Sequence, residues 1–440
     1  MNFDQLITLA VLAAVVAALI VDKVRADVVA LTGAAALLMS GAVRPSEVQG
    51  AFASPAIIAL ASLFVMAYAM ERTGLLDRAI ELAVRLCSRI GSFGLWILIG
   101  LSGGASAFLN NTPIVVLGAP VIRDVAEKLA LDPKRYLMPL SYVAVLGGCM
   151  TLIGTSTNLL VSDMARVSGQ PRFGLFEITP VGLCVALAGG VYLFLFSGRL
   201  IRRGQEGQGD FHKAVKPAPD YHRPAVAGGQ IGTPDKFTEH RPLQPAKALI
   251  SISVFIAAIT IAALDIAPIA ASAFAGAVLL ILLRVLSPDE AYSGLRPEIL
   301  MLIAGMVVLG IAMEQSGLAD DMTKGMLSLV EGVGPLGALI ILYGATLVLT
   351  ELLSNATVAV LITPIAVALG ESLGVSPRPF LVAVMMAGSA AFATPFGYQT
   401  NVIVYQMGGY GYMDFVRVGL PLNIITMVAA LTAITIFFPF

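Results

Sequence analysis

The chain has 440 residues, of which 58% are hydrophobic and 12% charged; its formal net charge is −1 and its mean hydropathy +0.88. That composition excludes a water-soluble globular protein and gives no electrostatic basis for binding nucleic acid. The histidines (His212, His222, His240) all fall in one polar central segment, and the cysteines (Cys87, Cys149, Cys184) lie far apart in apolar sequence. They are expected to be small core residues, not a disulfide or metal set.

The first twenty residues are apolar and carry neither a basic leader nor a small-residue cleavage site. Asn2–Val21 therefore predicts a retained membrane helix and not a signal peptide. Further apolar runs at 27–42, 55–71, 136–166 and 176–200 are long enough to cross, or nearly cross, a bilayer. Two features separate the third run from the fourth. In Leu75–Ile90, Asp77, Arg78, Glu81, Arg85, Ser88 and Arg89 recur at helical spacing, which predicts a helix along the membrane surface. Residues 91–128 are apolar but interrupted by Asn110-Asn111-Thr112-Pro113, which predicts a helical hairpin that enters and leaves on one side. The fourth run is itself broken by Gly154-Thr155-Ser156-Thr157-Asn158.

Arg202–Pro245 follows, with six Pro and six Gly in 44 residues, a composition that favours a flexible linker over a packed domain. The pattern then recurs. Apolar runs lie at 247–264, 267–286, 298–314, 379–409 and 414–438. A surface stretch, Leu318–Val330, carries Asp320, Asp321, Lys324 and Ser328. A hairpin at 334–372 turns at Ser354-Asn355-Ala356-Thr357, and a break runs from Thr394-Pro395-Phe396-Gly397 to Thr400-Asn401. The copies are legible as text. AMERTGLLD from Ala69 matches AMEQSGLAD from Ala312, FLNNTPIVVL from Phe108 matches LLSNATVAVL from Leu352, and GTSTNLLV from Gly154 matches GYQTNVIV from Gly397, all at an offset of about 243. Two repeats, 1–201 and 246–440, are thus joined by the linker 202–245.

Five crossings per repeat is an odd number, so the copies are expected to face opposite ways. With the linker in the cytoplasm, 22 of the Lys and Arg residues fall inside and 5 outside (Arg44, Arg166, Arg172, Lys324, Arg378); the opposite orientation inverts the ratio. Both termini are then outside. The expected fold is an all-α integral membrane protein of two inverted repeats of five transmembrane helices, each with a re-entrant hairpin and a helix broken at mid-membrane.

Irregular backbone in a membrane is tolerated where it lines a cavity or is buried in protein. Each break makes a helix C-terminus, whose carbonyls suit a small cation, and a helix N-terminus, whose N–H groups suit an anion. Asn and Ser oxygens are neutral hard donors appropriate for Na⁺, while Asn amides and Thr hydroxyls can donate to an oxyanion. Neither tip carries a Lys or Arg. The anion's charge would then be balanced by helix dipoles and co-bound cations, which implies symport. Ser106 and Thr350, four residues before Asn110 and Ser354, sit one turn below the tips and either complete a cation shell or bond backbone.

Blander readings compete. The tips could be simple polar turns, or Asn-X-Thr glycosylation acceptors, which need a surface loop. GTSTN lacks the Gly-Lys-Ser/Thr ending of a phosphate-binding loop. Gly103-Gly104, Gly147-Gly148 and Gly189-Gly190 suggest close helix packing. Among the acids, Glu71 and Glu314 end matched helices, Asp265 reads as a loop residue, and Glu351, without counterpart in the first repeat, is either a protonatable coupling group or a structural acid. The absence of convergent acids, His or Cys argues against an enzyme.

These motifs resemble the divalent anion/sodium symporter family, within the superfamily of citrate-transporter-like permeases, and most closely its bacterial sulfate and dicarboxylate carriers. FLNNTP and LLSNAT resemble its paired Ser-Asn-Thr tips, and GTSTN and TPFGYQTN its helix-break loops. The resemblance implies a homodimer in the plasma membrane whose mobile domain moves elevator-fashion against a fixed scaffold. It implies Na⁺ as coupling ion and no other cofactor. It places one Na⁺ near Ser106, Asn110, Asn111 and Gly154, and another near Thr350, Ser354, Asn355 and Gly397. The anion, sulfate or a di- or tricarboxylate, would lie among Asn111, Thr112, Thr157, Asn158, Asn355, Thr357, Thr400 and Asn401. Asn110 stands where Ser is usual and Ala356 where Thr is usual, which makes a small oxyanion such as sulfate as fitting as a dicarboxylate. The 44-residue linker is too short for the regulatory domain of longer relatives. The alternative reading is anion efflux, or Na⁺/H⁺ or arsenite antiport, within the same superfamily.

Overall fold

A computed structural model describes residues 3–21, 24–75, 78, 91–201, 243–264, 266–318, 334–395 and 397–440. Among the described residues there are eighteen helices, nine in each half. The first half has α1 (Phe3–Val21), α2 (Ala26–Ser40), α3 (Pro45–Phe52), α4 (Pro55–Arg72), α5 (Ser92–Ser106), α6 (Asn111–Lys128), α7 (Lys134–Gly148), α8 (Ser156–Val167) and α9 (Thr179–Leu200). The second has α10 (Pro245–Ala263), α11 (Ile269–Leu282), α12 (Pro288–Gly294), α13 (Pro297–Gln315), α14 (Gly334–Leu352), α15 (Asn355–Ser372), α16 (Arg378–Ser389), α17 (Gln399–Gly408) and α18 (Tyr412–Phe437). Each helix of the first half has its counterpart nine places on. Among the described residues, six segments are long and apolar enough to cross a membrane, and six shorter helices are apolar too. Most of the two surface stretches 75–90 and 318–330, nearly all of the linker, Asp265, Phe396 and Cys87 lie outside the described residues.

The boundaries follow local chemistry. Both hairpins turn at a residue whose side chain caps the returning helix. The Asn110 carbonyl oxygen accepts from the Thr112 N–H at 3.1 Å, and the Ser354 hydroxyl from the Thr357 N–H at 3.2 Å. Proline sits inside the returning helix at matched positions, Pro120 in α6 and Pro364 in α15. The short helices α3 and α12 were not legible as separate elements. Each starts with proline, and in each a glutamate at the third position, Glu47 or Glu290, accepts from the N-cap N–H.

The halves interlock reciprocally. Helix α2 packs on α13 as α11 packs on α4; α3 packs on α13 as α12 packs on α4; α8 packs on α15 as α17 packs on α6. Side chains repeat the exchange. Arg72, ending α4, reaches Glu290 on α12 at 2.8 Å, and Gln315, ending α13, reaches Glu47 on α3 at 2.6 Å. Two helix groups result, α1–α4 with α10–α13, and α5–α9 with α14–α18. They meet through α13 against α15 and α8, and through α4 against α8. Polar bonds across that boundary join Ser54 to Asp163 at 2.5 Å and Ser168 to Glu314 at 3.0 Å.

Close backbone approach holds the broken helices in place. A methyl on Gly147 of α7 would meet the Gly103 carbonyl of α5 at 2.0 Å. The backbone of each break also lies against a glycine of the last helix of its own half: a methyl on Gly182 would meet the Cys149 carbonyl at 2.4 Å, and one on Gly419 the Phe392 carbonyl at 1.9 Å. Gly103, Gly147 and Gly148 make such approaches, and Gly189 packs against the side chains of Leu146 and Leu422. Gly104 and Gly190 have open space at the same point.

Candidate functional site

The four interruptions carry one hydrogen-bond pattern twice. At the tips, Ser106 donates to the Asn111 carbonyl oxygen at 2.5 Å, and the Thr350 hydroxyl lies 2.8 Å from the Asn355 carbonyl oxygen. All four residues are buried. At the breaks, Thr151 Oγ1 accepts from the Gly154 N–H at 3.2 Å as Thr394 Oγ1 does from Gly397 at 3.0 Å. The Asn158 amide donates to the carbonyls of Gly148 and Thr151, and the Asn401 amide to those of Ala391 and Thr394. Every one of these break residues is offset from its counterpart by 243.

Tip and break then meet within each half. In the first, a methyl on Gly148 would lie 2.7 Å from Asn111 Oδ1 and 3.2 Å from the Gly154 carbonyl, and one on Gly154 would lie 2.9 Å from the Ala107 carbonyl. The Thr151 hydroxyl donates to that same Ala107 carbonyl. Ser106, Asn111, Gly148 and Gly154 thus place neutral oxygens around one small volume at the C-terminal ends of α5 and α7. In the second half the Thr350 hydroxyl also lies 2.7 Å from the Gly388 carbonyl, and a methyl on Gly397 would meet Thr394 Oγ1 at 2.9 Å. A carbonyl and hydroxyl set of this kind has the chemistry of a hard-cation site. Among the described residues no group of three or more His, Cys, Asp or Glu could hold a metal ion.

The halves also meet each other here. The Asn111 amide nitrogen donates to the Tyr398 hydroxyl at 2.9 Å, and the Thr112 hydroxyl to Gln399 Oε1 at 3.3 Å. The Thr157 methyl packs where a methyl on Gly388 would be, at 3.4 Å. The Ser141 hydroxyl in α7 donates to Asn401 Oδ1 at 2.7 Å and lies 2.8 Å from the Thr400 hydroxyl. The N-terminal ends of α6, α8, α15 and α17 start at these interruptions.

The anticipated residues therefore fall into distinct roles. Ser106, Asn111 and Gly154 line the first oxygen cluster and Thr350 and Asn355 the second, while Gly397 lies within the second break, beside Thr394 and Glu351. Asn110 and Ser354 direct their oxygens into helix caps. Asn158 and Asn401 brace their own loops, and the Thr357 hydroxyl lies 2.7 Å from that of Ser354, within the cap. Thr112, Thr157 and Thr400 sit at contacts between the halves. Glu351 braces the second break: its Oε1 accepts from the Ala393 N–H at 2.7 Å and from Asn423 of α18 at 2.8 Å, while its buried Oε2 has no hydrogen-bond partner.

Sequence reasoning missed Gly148, Thr151, Ser141, Tyr398, Gln399 and Gly388. Sliding the two copies along each other at 243 would have exposed Thr151 with Thr394 as a polar pair in apolar sequence. It also passed over Asp163, a buried acid in the fourth run that pairs with Arg166 at 3.2 Å as well as with Ser54.

Comparison with known proteins decides the family. The citrate transporter family profile matches residues 16–372 and 352–439. The chain belongs to that family. It is similar to an uncharacterized transporter of Synechocystis, sll0640, at 25% identity over 96% of this chain and 95% of that protein. It is 25% identical to the sodium-dependent dicarboxylate transporter SdcS of Staphylococcus saprophyticus over 90% of this chain and 79% of that one. Sodium/sulfate cotransporter 1 of Chlamydomonas reinhardtii is 34% identical across 35% of this chain and 18% of its own length. The fold resembles that of MtrF from Neisseria gonorrhoeae, an antimetabolite efflux pump, with a TM-score of 0.58 at 13% identity over 89% of this chain and 83% of that one. This family member is a multi-pass membrane transporter, and the citrate transporter family and these relatives are transporters, not enzymes.

Proposed function

We propose that this transporter imports a small divalent oxyanion, sulfate or a di- or tricarboxylate, together with Na⁺. The observation that carries the reading is the duplicated oxygen cluster, Ser106 with Asn111 and Thr350 with Asn355, each beside the carbonyl end of a broken helix. Neutral oxygens at helix C-termini favour Na⁺. The helix N-termini that start at the same interruptions favour an anion. Without a Lys or Arg at either tip, bound Na⁺ supplies the charge that makes the anion site complete. The relatives SdcS and the Chlamydomonas cotransporter, named for sodium with dicarboxylate and with sulfate, agree with this pairing.

The reciprocal packing of the halves fits two copies of opposite orientation, with the linker in the cytoplasm and both termini outside. The two helix groups fit an elevator: α5–α9 with α14–α18 carry the site and slide against α1–α4 with α10–α13, the working unit being a homodimer. One net positive charge moving inward gains roughly 2.3 kcal/mol per 100 mV, or about forty-fold accumulation. The deciding experiment is counterflow in proteoliposomes with labelled sulfate, succinate and citrate, with and without Na⁺. Uptake of one of these anions that requires Na⁺ at every pH supports the reading. Uptake that persists in Na⁺-free medium across a pH series defeats it.

A further inference from the structure

The two tips are equivalent in sequence and unequal in what they leave open. At the first, most donors are occupied or missing. The Thr112 N–H is taken by the Asn110 cap, Pro113 has no N–H, the Asn111 amide donates to Tyr398, and the Thr112 hydroxyl faces Gln399. Only the Asn111 N–H remains of the first turn of α6. At the second tip the Ser354 cap takes the Thr357 N–H, and the N–H groups of Asn355 and Ala356 have no intrahelical partner. The Asn355 amide nitrogen is buried, 8% exposed by residue, and has no hydrogen-bond partner. A buried donor left in that state is costly unless something accepts from it.

The cause of the inequality is one position. Tyr398 and Thr155 are equivalent at the offset of 243, and the Tyr398 hydroxyl accepts from the Asn111 amide. A phenol reaches across from the second half and covers the Asn111 amide. A threonine, too short to do the same, leaves the Asn355 amide uncovered.

Granting the anion-transport reading above, we propose that Tyr398 is a specificity-determining residue that closes the first tip to the substrate. The anion is then gripped at one end, by the Asn355 amide and the N–H groups at the start of α15. A tetrahedral oxyanion of the sulfate class presents its whole charge to one such grip. A dicarboxylate has two separated heads and needs a donor set at each tip, and Tyr398 occupies the set at the first tip.

The test is competition in proteoliposomes of the full chain, with labelled sulfate exchanged in Na⁺ against unlabelled sulfate or succinate. In the wild type succinate should compete at least tenfold more weakly than sulfate. Tyr398→Thr installs the residue of the equivalent position, uncovers Asn111, and should bring the ratio to within threefold. Should that variant fail to melt cooperatively in Na⁺, Tyr398→Phe removes only the hydroxyl that holds Asn111 and should move the ratio the same way by at least threefold. Equal competition in the wild type, or an unchanged ratio in a folded variant, overturns the role of Tyr398 and leaves the transport reading standing. Loss of Na⁺-dependent exchange of every anion in the wild type overturns both.

Discussion

The Asn158 side chain donates to the Thr151 carbonyl at 3.0 Å, and Asn401, 243 residues on, repeats the bond to Thr394 at 3.2 Å. Each amide ties the new helix back to the loop that precedes it, so the carbonyls at the end of α7 and α16 keep their direction. Asn158→Ala and Asn401→Ala leave buried carbonyls without a donor, at a cost of about 1–3 kcal/mol each. Both variants should melt at lower temperature, and both should lose part of the stabilisation that Na⁺ confers. A thermal shift series in Na⁺ against K⁺ reads the two effects separately; Na⁺ stabilisation kept in full would remove the braces from the site.

Ser106 and Thr350 orient the carbonyl oxygens of Asn111 and Asn355. Removing one neutral hydrogen bond of about 1 kcal/mol should raise the Na⁺ concentration for half-maximal stabilisation about fivefold in Ser106→Ala and in Thr350→Ala. Thr350→Ser keeps the hydroxyl and should behave as the wild type. Asn111→Ala and Asn355→Ala remove a cluster oxygen outright and should be worse than either. If both asparagine variants keep wild-type Na⁺ titrations, the cation assignment fails.

Much of this was legible because apolar length and duplication are properties of the text. The apolar helices and the four interruptions between them stand where hydropathy and the duplicated text put them. Ser106 and Thr350 were visible as hydroxyls one turn below the tips. What was hidden depends on contacts between segments far apart in the chain. Nothing in the spacing shows that Tyr398 meets Asn111, 287 residues away, or that Ser141 lies between Thr400 and Asn401. Gly104 and Gly190 read like Gly103 and Gly189, yet only one of each pair faces a neighbour. Asp163 was missed because an acid one turn from Arg166 reads as a surface pair, and only Ser54, just before α4, shows that it faces a helix boundary.

Glu351 links α14 to the second break and to α18 through one oxygen. Glu351→Gln keeps a carbonyl oxygen able to take both donors and should fold like the wild type. Glu351→Ala strands the Ala393 N–H and the Asn423 amide, at about 1–3 kcal/mol each, and should lower the melting temperature well beyond the Gln variant. Equal melting of the two variants would show that Oε1 braces nothing.

Glu290 gives an acid limb to stability. The Ser287 N–H, then the Arg72 guanidinium, hold its carboxyl below the usual glutamate value. A lowered folded-state pKa contributes stability that is present above the unfolded value, about 4.3, and is lost as pH falls through it towards the folded value. The melting temperature of the wild type should therefore fall faster than that of Glu290→Gln as pH drops below about 4.3, the two converging in acid. Because the pair is part-exposed, added salt should shrink the difference at neutral pH. Parallel pH curves for the two proteins would show no contribution from this carboxylate.

Gly104 and Gly147 offer the sharpest contrast in packing. A methyl on Gly147 would collide with the Gly103 backbone carbonyl at 2.0 Å, and a backbone atom in a helix cannot step aside without moving α5. Since α5 carries Ser106 to the first cluster, Gly147→Ala should both destabilise the fold and weaken Na⁺ binding; overpacking of this kind costs typically about 1–3 kcal/mol. Gly104 has open space within 4 Å and lies inside the same helix. Gly104→Ala should be neutral or stabilising by roughly 0.5–1 kcal/mol, the helix preference of alanine over glycine. Paired melting curves in Na⁺ and K⁺ check both. A Gly104→Ala variant as damaged as Gly147→Ala would mean that the α5 surface at Gly104 is covered, and that the close approach of α5 to α7 is not what sets the geometry of the first cluster.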